Sequence, residues 1–548
     1  MQTGDASRSV PHPSRPMALG THGVVATGHA LATQAGLRVL QDGGNAIDAA
    51  LAASAVLTVV RPQSCSIGGD LFALVHDGRS GEVVAVNASG PAPRAATVEW
   101  FRSRGHATIP EHGVAAVEVP GLVDGWALLH ERFATRPLAE LLMPAIALAE
   151  EGFPVYPNLA AESARHAALL AQHPATAALF LPGGAPLRTG TRLVQRDLAR
   201  MLRLIARQGR AAFYGGEIGE RLGRYVQRSG GLLAPADLAE PCGAFREPLH
   251  VTYRGHTVYE TPPVSQGFIL LEELLIAEGF DLAAMGHNRA PTIHHMVEAK
   301  KLAFADRLAY LGDPRYVPLP LETLLSPEHA ARQRARIDPQ RAARQPVAAL
   351  DLRPRGGDTT YLCVVDADGN AASVIQSIYS AWGSGVVVPD TGILLNNRLF
   401  AFWLEDGHPN QLAPGKRTMH TLNAFLVKRG TELYMVGGTP GADDQVQTNF
   451  QVLVSIIDHG LDVQRALDAT KWSSRPGTLE RDRGQPYVLA VEPRLDREVV
   501  AALAALGHEI QLVPDFTIGA HEAIVRDLAT GVLMGGAAPT RDGLALGW

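Results

Sequence analysis

Apolar positions along the chain follow two periods. Residues 24–26 read as a short strand and residues 30–41 as a helix. After the punctuation of Asp42-Gly43-Gly44-Asn45, residues 46–60 read as an alanine-rich buried helix. Gly68-Gly69-Asp70 precedes a predicted strand over 71–76, and a second follows over 82–87. From 135 to 345 the period is mainly helical, with capped amphipathic stretches at 137–151 and 290–311 and a strand-like interruption at 249–260. Residues 331–358 are rich in Arg, Pro and Ala with weak periodicity, which predicts a loop or linker. Residues 361–366 then alternate, turn at Asp368-Gly369-Asn370 and resume over 371–377, a tight β-hairpin. Short β-runs at 393–395, 424–427 and 433–436 lead to a strong helix over 445–458 and a closing α/β stretch. Strands at both ends and helices between predict one sheet-centred fold assembled from both halves.

Composition narrows the class. The 548 residues exceed one simple core and suggest two to four lobes, with 46% hydrophobic and 19% charged residues in a globular balance. Net charge is −6 with signs interspersed, which argues against nucleic acid or an anionic membrane as partner. Cys65, Cys242 and Cys363 are odd in number and far apart, which speaks against a disulfide framework or a thiolate metal site. The first 16 residues are polar and lack an apolar signal core, and no apolar run reaches 18 residues. The expectation is a cytoplasmic protein whose residues 1–22 form a disordered tail.

Candidate chemistry centres on Thr359, at the head of the hairpin. If the chain broke before it, its hydroxyl would have a general base in its own α-amine; ordinary β-propensity explains Thr359-Thr360 as readily. The run Gly437-Gly438-Thr439-Pro440-Gly441, between a strand and a helix, offers backbone N–H groups to a phosphate or an oxyanion. Ala442-Asp443-Asp444 follows in place of Lys-Ser/Thr, so it is no Walker loop, and a plain turn remains open. His294-His295 with Glu298 carries ligand residue types, but an adjacent pair points to two helix faces, so a structural role is favoured and no metal is expected. Ser64 and Ser66 lack a nucleophile elbow.

Several segments resemble one family, the γ-glutamyltransferases. They include Gly43-Gly44-Asn45-Ala46-Ile47-Asp48, Val119-Pro120-Gly121 with Gly125, Phe213-Tyr214, Gly230-Gly231-Leu232, Tyr253-Arg254-Gly255 and Ala305-Asp306-Arg307 with Gly312-Asp313-Pro314. In the second half come Thr359-Thr360, Asp368-Gly369-Asn370-Ala371, residues 392–397, Lys416-Arg417 and Gly438-Thr439-Pro440-Gly441. The similarity runs collinearly from about Gly23 to the C-terminus. It implies an α+β N-terminal-nucleophile hydrolase with an αββα sandwich, made as one inactive chain. Cleavage between Asp358 and Thr359 would leave a large piece (23–358 after the tail) and a small piece (359–548), held as a heterodimer or a dimer of heterodimers. By the same resemblance Thr359 is the nucleophile, Ser377 supports it, and the N–H groups of Gly441 and Ala442 form the oxyanion hole. The family usually has two glycines there, and alanine adopts positive φ only at a cost. No cofactor is implied.

The chain departs from the family where substrate is held. Where the family has an arginine for the α-carboxylate, this chain reads Asn87-Ala88-Ser89-Gly90-Pro91, with no basic residue before Arg94. The aspartate that pairs with the α-amino group falls at Ala401, the neighbouring glutamine becomes Arg398, and the serine pair becomes His420-Thr421. A charge-assisted hydrogen bond contributes about 1.5–3 kcal/mol, so a γ-glutamyl donor is expected to be poor. Arg398, His420, Thr421, Ser89 and Arg94 instead suggest a site for a smaller carboxylate-bearing amide, as in the oxamate amidohydrolase type, with Arg398 as a structural ion-pair residue the alternative. The short segment 405–416, where many members carry a long lid, favours hydrolysis over transfer. A glutathione hydrolase or transpeptidase with a rearranged clamp, and a catalytically silent binding or structural relative, are the competing expectations.

Overall fold

The computed structural model describes residues 14–343, 359–477, 479–482 and 485–548. Two seven-stranded sheets lie at its centre, and each takes strands from both sides of Thr359. One runs 544–547, 23–27, 360–366, 371–377, 70–76, 83–88, 244–246; the other runs 18–20, 533–537, 522–526, 432–438, 425–429, 256–260, 249–253.

The layering follows from the period of the central strands. Thr360–Asp366 is buried along its whole length. Tyr361, Cys363 and Val365 enter a core shared with Val24, Phe72, Leu426, Val436 and Ile524 of both sheets, while Leu362 and Val364 join Val56 and Val59 of a flanking helix. A strand with a side chain on each face alternately, and apolar partners on both, is the sequence solution for an inner strand. The outer layers are helices. Ala30–Gln41 and Ala46–Val60 cover the first sheet, and every residue of the latter is buried, as expected of a helix apolar on all sides. Gly267–Ala277, Ala290–Tyr310 and Asp444–Ile457 cover the second. The result is an αββα sandwich.

The predicted hairpin is present: Thr360 pairs with Gln376 and Val365 with Ala371. Its turn is held by Asp366, whose Oδ1 accepts from the N–H of Asp368 and Asn370 at 3.0 and 2.9 Å. Asp366 Oδ2 also accepts from Ala46 N at 2.9 Å, so the turn caps the buried helix from the other side of Thr359 in the chain.

Two expectations change. Residues 18–20, expected within the tail, form an edge strand with Ala18 opposite Gly535. Residues 331–334, expected in a linker, complete the helix Pro327–Arg334, which Ser326 caps by accepting from His329 N. No helix among the described residues is long and apolar enough to cross a membrane.

Candidate active site

Thr359 immediately precedes its strand and is 2% exposed. Its Oγ1 donates to Ser377 Oγ at 3.2 Å, across the ends of the hairpin, and Ser377 Oγ also accepts from Tyr379 N at 2.7 Å. The Thr359 carbonyl accepts from Arg541 Nη1 at 3.3 Å. The hairpin register thus brings together the two hydroxyls that the sequence separates by 18 positions. The other proposed cleavage residue, Asp358, lies outside the described residues.

Ser377 stands opposite Asp70 in the ladder. Asp70 accepts from Arg398 Nε at 3.2 Å, and His420 Nε2 lies 3.9 Å from the same oxygen. The Arg398 guanidinium stacks over the Tyr379 ring at 4.4 Å. Arg398 is therefore a buried ion-pair residue, yet its Nη1 and Nη2 have no hydrogen-bond partner among the described residues. The same holds for both ring nitrogens of His420 and both carboxyl oxygens of Glu118, all enclosed. Glu118 is tied to the Arg398 segment by Asn396, whose Oδ1 accepts from Glu118 N and whose Nδ2 donates to Glu118 O. So many enclosed polar atoms without partners are costly unless a bound group or water meets them.

Burial sets the charges here. It pushes the Asp70 carboxyl up to about 6, against the pull of Arg398. Burial and then Asp70 hold Glu118 well above the carboxylate range, which favours its neutral form. Burial, with Arg398 and Arg417 nearby, holds His420 well below its usual range, so it is neutral. Arg398, with Arg417 near it, supplies the positive charge, and Asp70 is the titratable anion beside Arg398.

The glycine-rich run follows the strand Glu432–Gly438 and precedes the helix Asp444–Ile457. Gly441 has φ 135°, and Ala442 sits in the left-handed region at φ 51°. A positive φ costs alanine about 1–2 kcal/mol, and the fold imposes it nonetheless. Asp443 pairs with buried Arg307 at 2.5 Å just beyond.

The remaining substrate candidates divide. Ser89 is buried, with its hydroxyl turned onto Asn87 Oδ1 at 2.8 Å and its carbonyl held by Arg417 Nε at 3.0 Å. Thr421 is buried beside His420, and its carbonyl accepts from Gln266 Nε2 at 2.6 Å. Arg94 is 77% exposed at its side chain and faces Asp237, so the structure does not bring it to this cluster. Residues 405–416 fold back on themselves, with Lys416 Nζ donating to the carbonyls of Pro409 and Gln411. The His294, Glu298 and His508 side chains meet, but His294 Nδ1 bonds His508 Nε2 at 2.9 Å and Glu298 is held by Lys301 at 2.7 Å.

Asp70, Glu118, Tyr379 and Gln266 were missed from sequence. Glu118 left a signal, a carboxylate inside the apolar run Val117-Glu118-Val119-Pro120. Asp70 left a weaker one, an acid at the head of an otherwise apolar strand.

The sequence model of the family described as Gamma-glutamyltranspeptidase matches residues 32–548. The glutathione hydrolase-like YwrD proenzyme of Bacillus subtilis is 38% identical over 533 residues, 96% of this chain and 99% of that protein. The oxamate amidohydrolase proenzyme of Klebsiella pneumoniae is 36% identical over 544 residues, 97% and 99% of the two chains. The crystal structure of cephalosporin acylase from Bacillus halodurans has a TM-score of 0.90 at 38% identity and covers 100% of this chain and 99% of its own.

Proposed function

The chain belongs to the gamma-glutamyltranspeptidase family, and on that premise we propose that it cuts itself before Thr359 and then hydrolyses a small amide bearing a carboxylate next to the scissile carbonyl, as oxamate does. It is an enzyme of the N-terminal-nucleophile hydrolase type, made as a self-processed chain. In the first step Thr359 Oγ attacks the Asp358 carbonyl. The Asp358–Thr359 C–N bond breaks, the nitrogen becomes an α-amine, and water hydrolyses the resulting ester. Freed, Thr359 Oγ attacks the substrate amide while the α-amine takes its proton and returns it to the leaving ammonia or amine. Water then releases the acid from the acyl-enzyme. Ser377 holds the hydroxyl in line, and the N–H groups of Gly441 and Ala442 receive the oxyanion.

The observation that carries the substrate class is the pair of partnerless Arg398 nitrogens, three contacts away from Thr359 through Asp70 and Ser377. A guanidinium already held at Nε presents its two terminal N–H edges as a fork for one carboxylate. His420 and Thr421 line the same segment. A glutamyl α-amino group would find Ala401 where the family has its aspartate, so glutathione is the weaker candidate.

The test begins with intact mass under denaturing conditions, wild type beside Thr359→Ala. Two fragments split at Asp358–Thr359 in wild type and one uncut chain in the variant are expected. Processed protein is then assayed for ammonia from oxamate and for glutamate from glutathione. A wild type that never cuts overturns the nucleophile assignment; glutathione turnover well above that of oxamate overturns the substrate class.

A further inference from the structure

Three successive carbonyls of the oxyanion loop are tied down, and one tie comes from the other side of Thr359 in the chain. Pro440 O accepts from Thr439 Oγ1 at 2.8 Å, and that oxygen accepts in turn from Ala520 N at 2.8 Å. Gly441 O accepts from Asp444 N at 2.9 Å. A trans peptide points its N–H opposite its carbonyl. Fixing Pro440 O and Gly441 O therefore aims the N–H groups of Gly441 and Ala442 away from those anchors. The weak joint is Ala442 itself, at φ 51° without glycine's freedom.

That joint is held by Gln266. Ala442 O accepts from Gln445 N at 3.2 Å and from Gln266 Nε2 at 3.1 Å. The same nitrogen donates to Thr421 O at 2.6 Å, and Gln266 N donates to His420 O at 2.9 Å. Both side-chain partners are carbonyls, so only the amide nitrogen can face them. Gln266 is fully enclosed at the start of the helix Gly267–Ala277, a rigid mount. One side chain thus joins the His420-Thr421 wall of the pocket to the strained residue of the oxyanion loop. We propose that Gln266 is a positioning residue that holds Ala442 in its left-handed conformation and so keeps both oxyanion donors aimed at the reacting carbonyl. This rests on the reading of Gly441 and Ala442 given above.

The test compares processed wild type with Gln266→Met, Ala442→Gly and the double variant. Methionine keeps the volume and removes both N–H groups. The crystal structure of Gln266→Met is expected to show Ala442 turned to negative φ, a readout that needs no substrate. With oxamate, kcat is expected to fall at least about tenfold with KM little changed. Ala442→Gly in the Gln266→Met background is expected to recover most of that loss, because glycine holds the loop without a staple. Should Gln266→Met fail to fold, Gln266→Asn, which withdraws the amide by one methylene, is read the same way. An Ala442 that keeps its positive φ without the Gln266 contact overturns the proposal, as does a double variant no faster than Gln266→Met. An Ala442 that turns while kcat stays at the wild-type value leaves the staple standing and instead removes the oxyanion role of residues 441 and 442.

Discussion

Arg398 Nε donates to Asp70 Oδ2 at 3.2 Å, and Asp70 lies directly across the ladder from Ser377, the acceptor of the Thr359 hydroxyl. Thr359 and Arg398 are two ends of one short run of contacts across neighbouring strands.

Replacing Arg398 by Lys keeps the charge and removes the planar fork. We expect kcat/KM for oxamate to fall about 10- to 100-fold, the rate equivalent of the 1.5–3 kcal/mol of a charge-assisted hydrogen bond, with most of the change in KM. Arg398→Met should also leave Asp70 enclosed and unpaired, lowering unfolding stability by about 3 kcal/mol. Steady-state kinetics and denaturant melts measure the two effects, and an unaltered KM in Arg398→Lys would remove the carboxylate fork.

Asp70 gives the pocket a pH dependence. Its carboxyl titrates at about 6, while the neutral forms of Glu118 and His420 are favoured on either side of that window. Above pH 6 the ionised Asp70 opposes a bound anion; below it, Arg398 and nearby Arg417 act without that opposition. Competitive inhibition by pyruvate, a non-hydrolysable relative of oxamate, should therefore tighten about tenfold from pH 7.5 to pH 5. Asp70→Asn should flatten the profile, and an unchanged inflection in that variant would assign it elsewhere.

Ser377 accepts from both the Thr359 hydroxyl and Tyr379 N. Ser377→Ala keeps the strand and removes the Ser377 contact of the Thr359 hydroxyl. Self-cleavage followed by intact mass, and turnover after cleavage, should each slow about tenfold to a hundredfold. Full-speed cleavage in this variant would show that the hairpin alone positions Thr359.

Asp366 fastens segments that lie on the two sides of Thr359 in the chain. It closes the hairpin turn and caps the helix Ala46–Val60 through Ala46 N. Asp366→Ala should lower stability by about 2 kcal/mol and let the two fragments of processed protein separate at lower denaturant. Urea melts monitored by size exclusion test this, and a midpoint unchanged from wild type would sink it.

Much of the framework was readable along the chain. The helices 30–41 and 46–60 begin and end where the apolar period and Asn45 place them, because a capping box and an all-apolar helix are local statements. The hairpin at 360–377 was legible from alternation and Asp-Gly-Asn, and with it the position of Thr359 at a strand head. What lay beyond a one-dimensional reading was any pairing across layers. Asp70 and Arg398 are 328 residues apart and meet because two strands and a loop converge at one sheet end.

The sequence by itself determined most of the central strands and helices, since hydrophobic period and turn chemistry act over a few residues, and the resemblance of its motifs to one family singled out Thr359 as the candidate nucleophile. Only the tertiary structure decided that Arg398 is half occupied by Asp70, that Arg94 faces solvent and Asp237, and that Ala442 takes a conformation its own backbone disfavours. Charge state, enclosure and strain depend on what packs against a residue from distant segments, and the local sequence does not encode that environment.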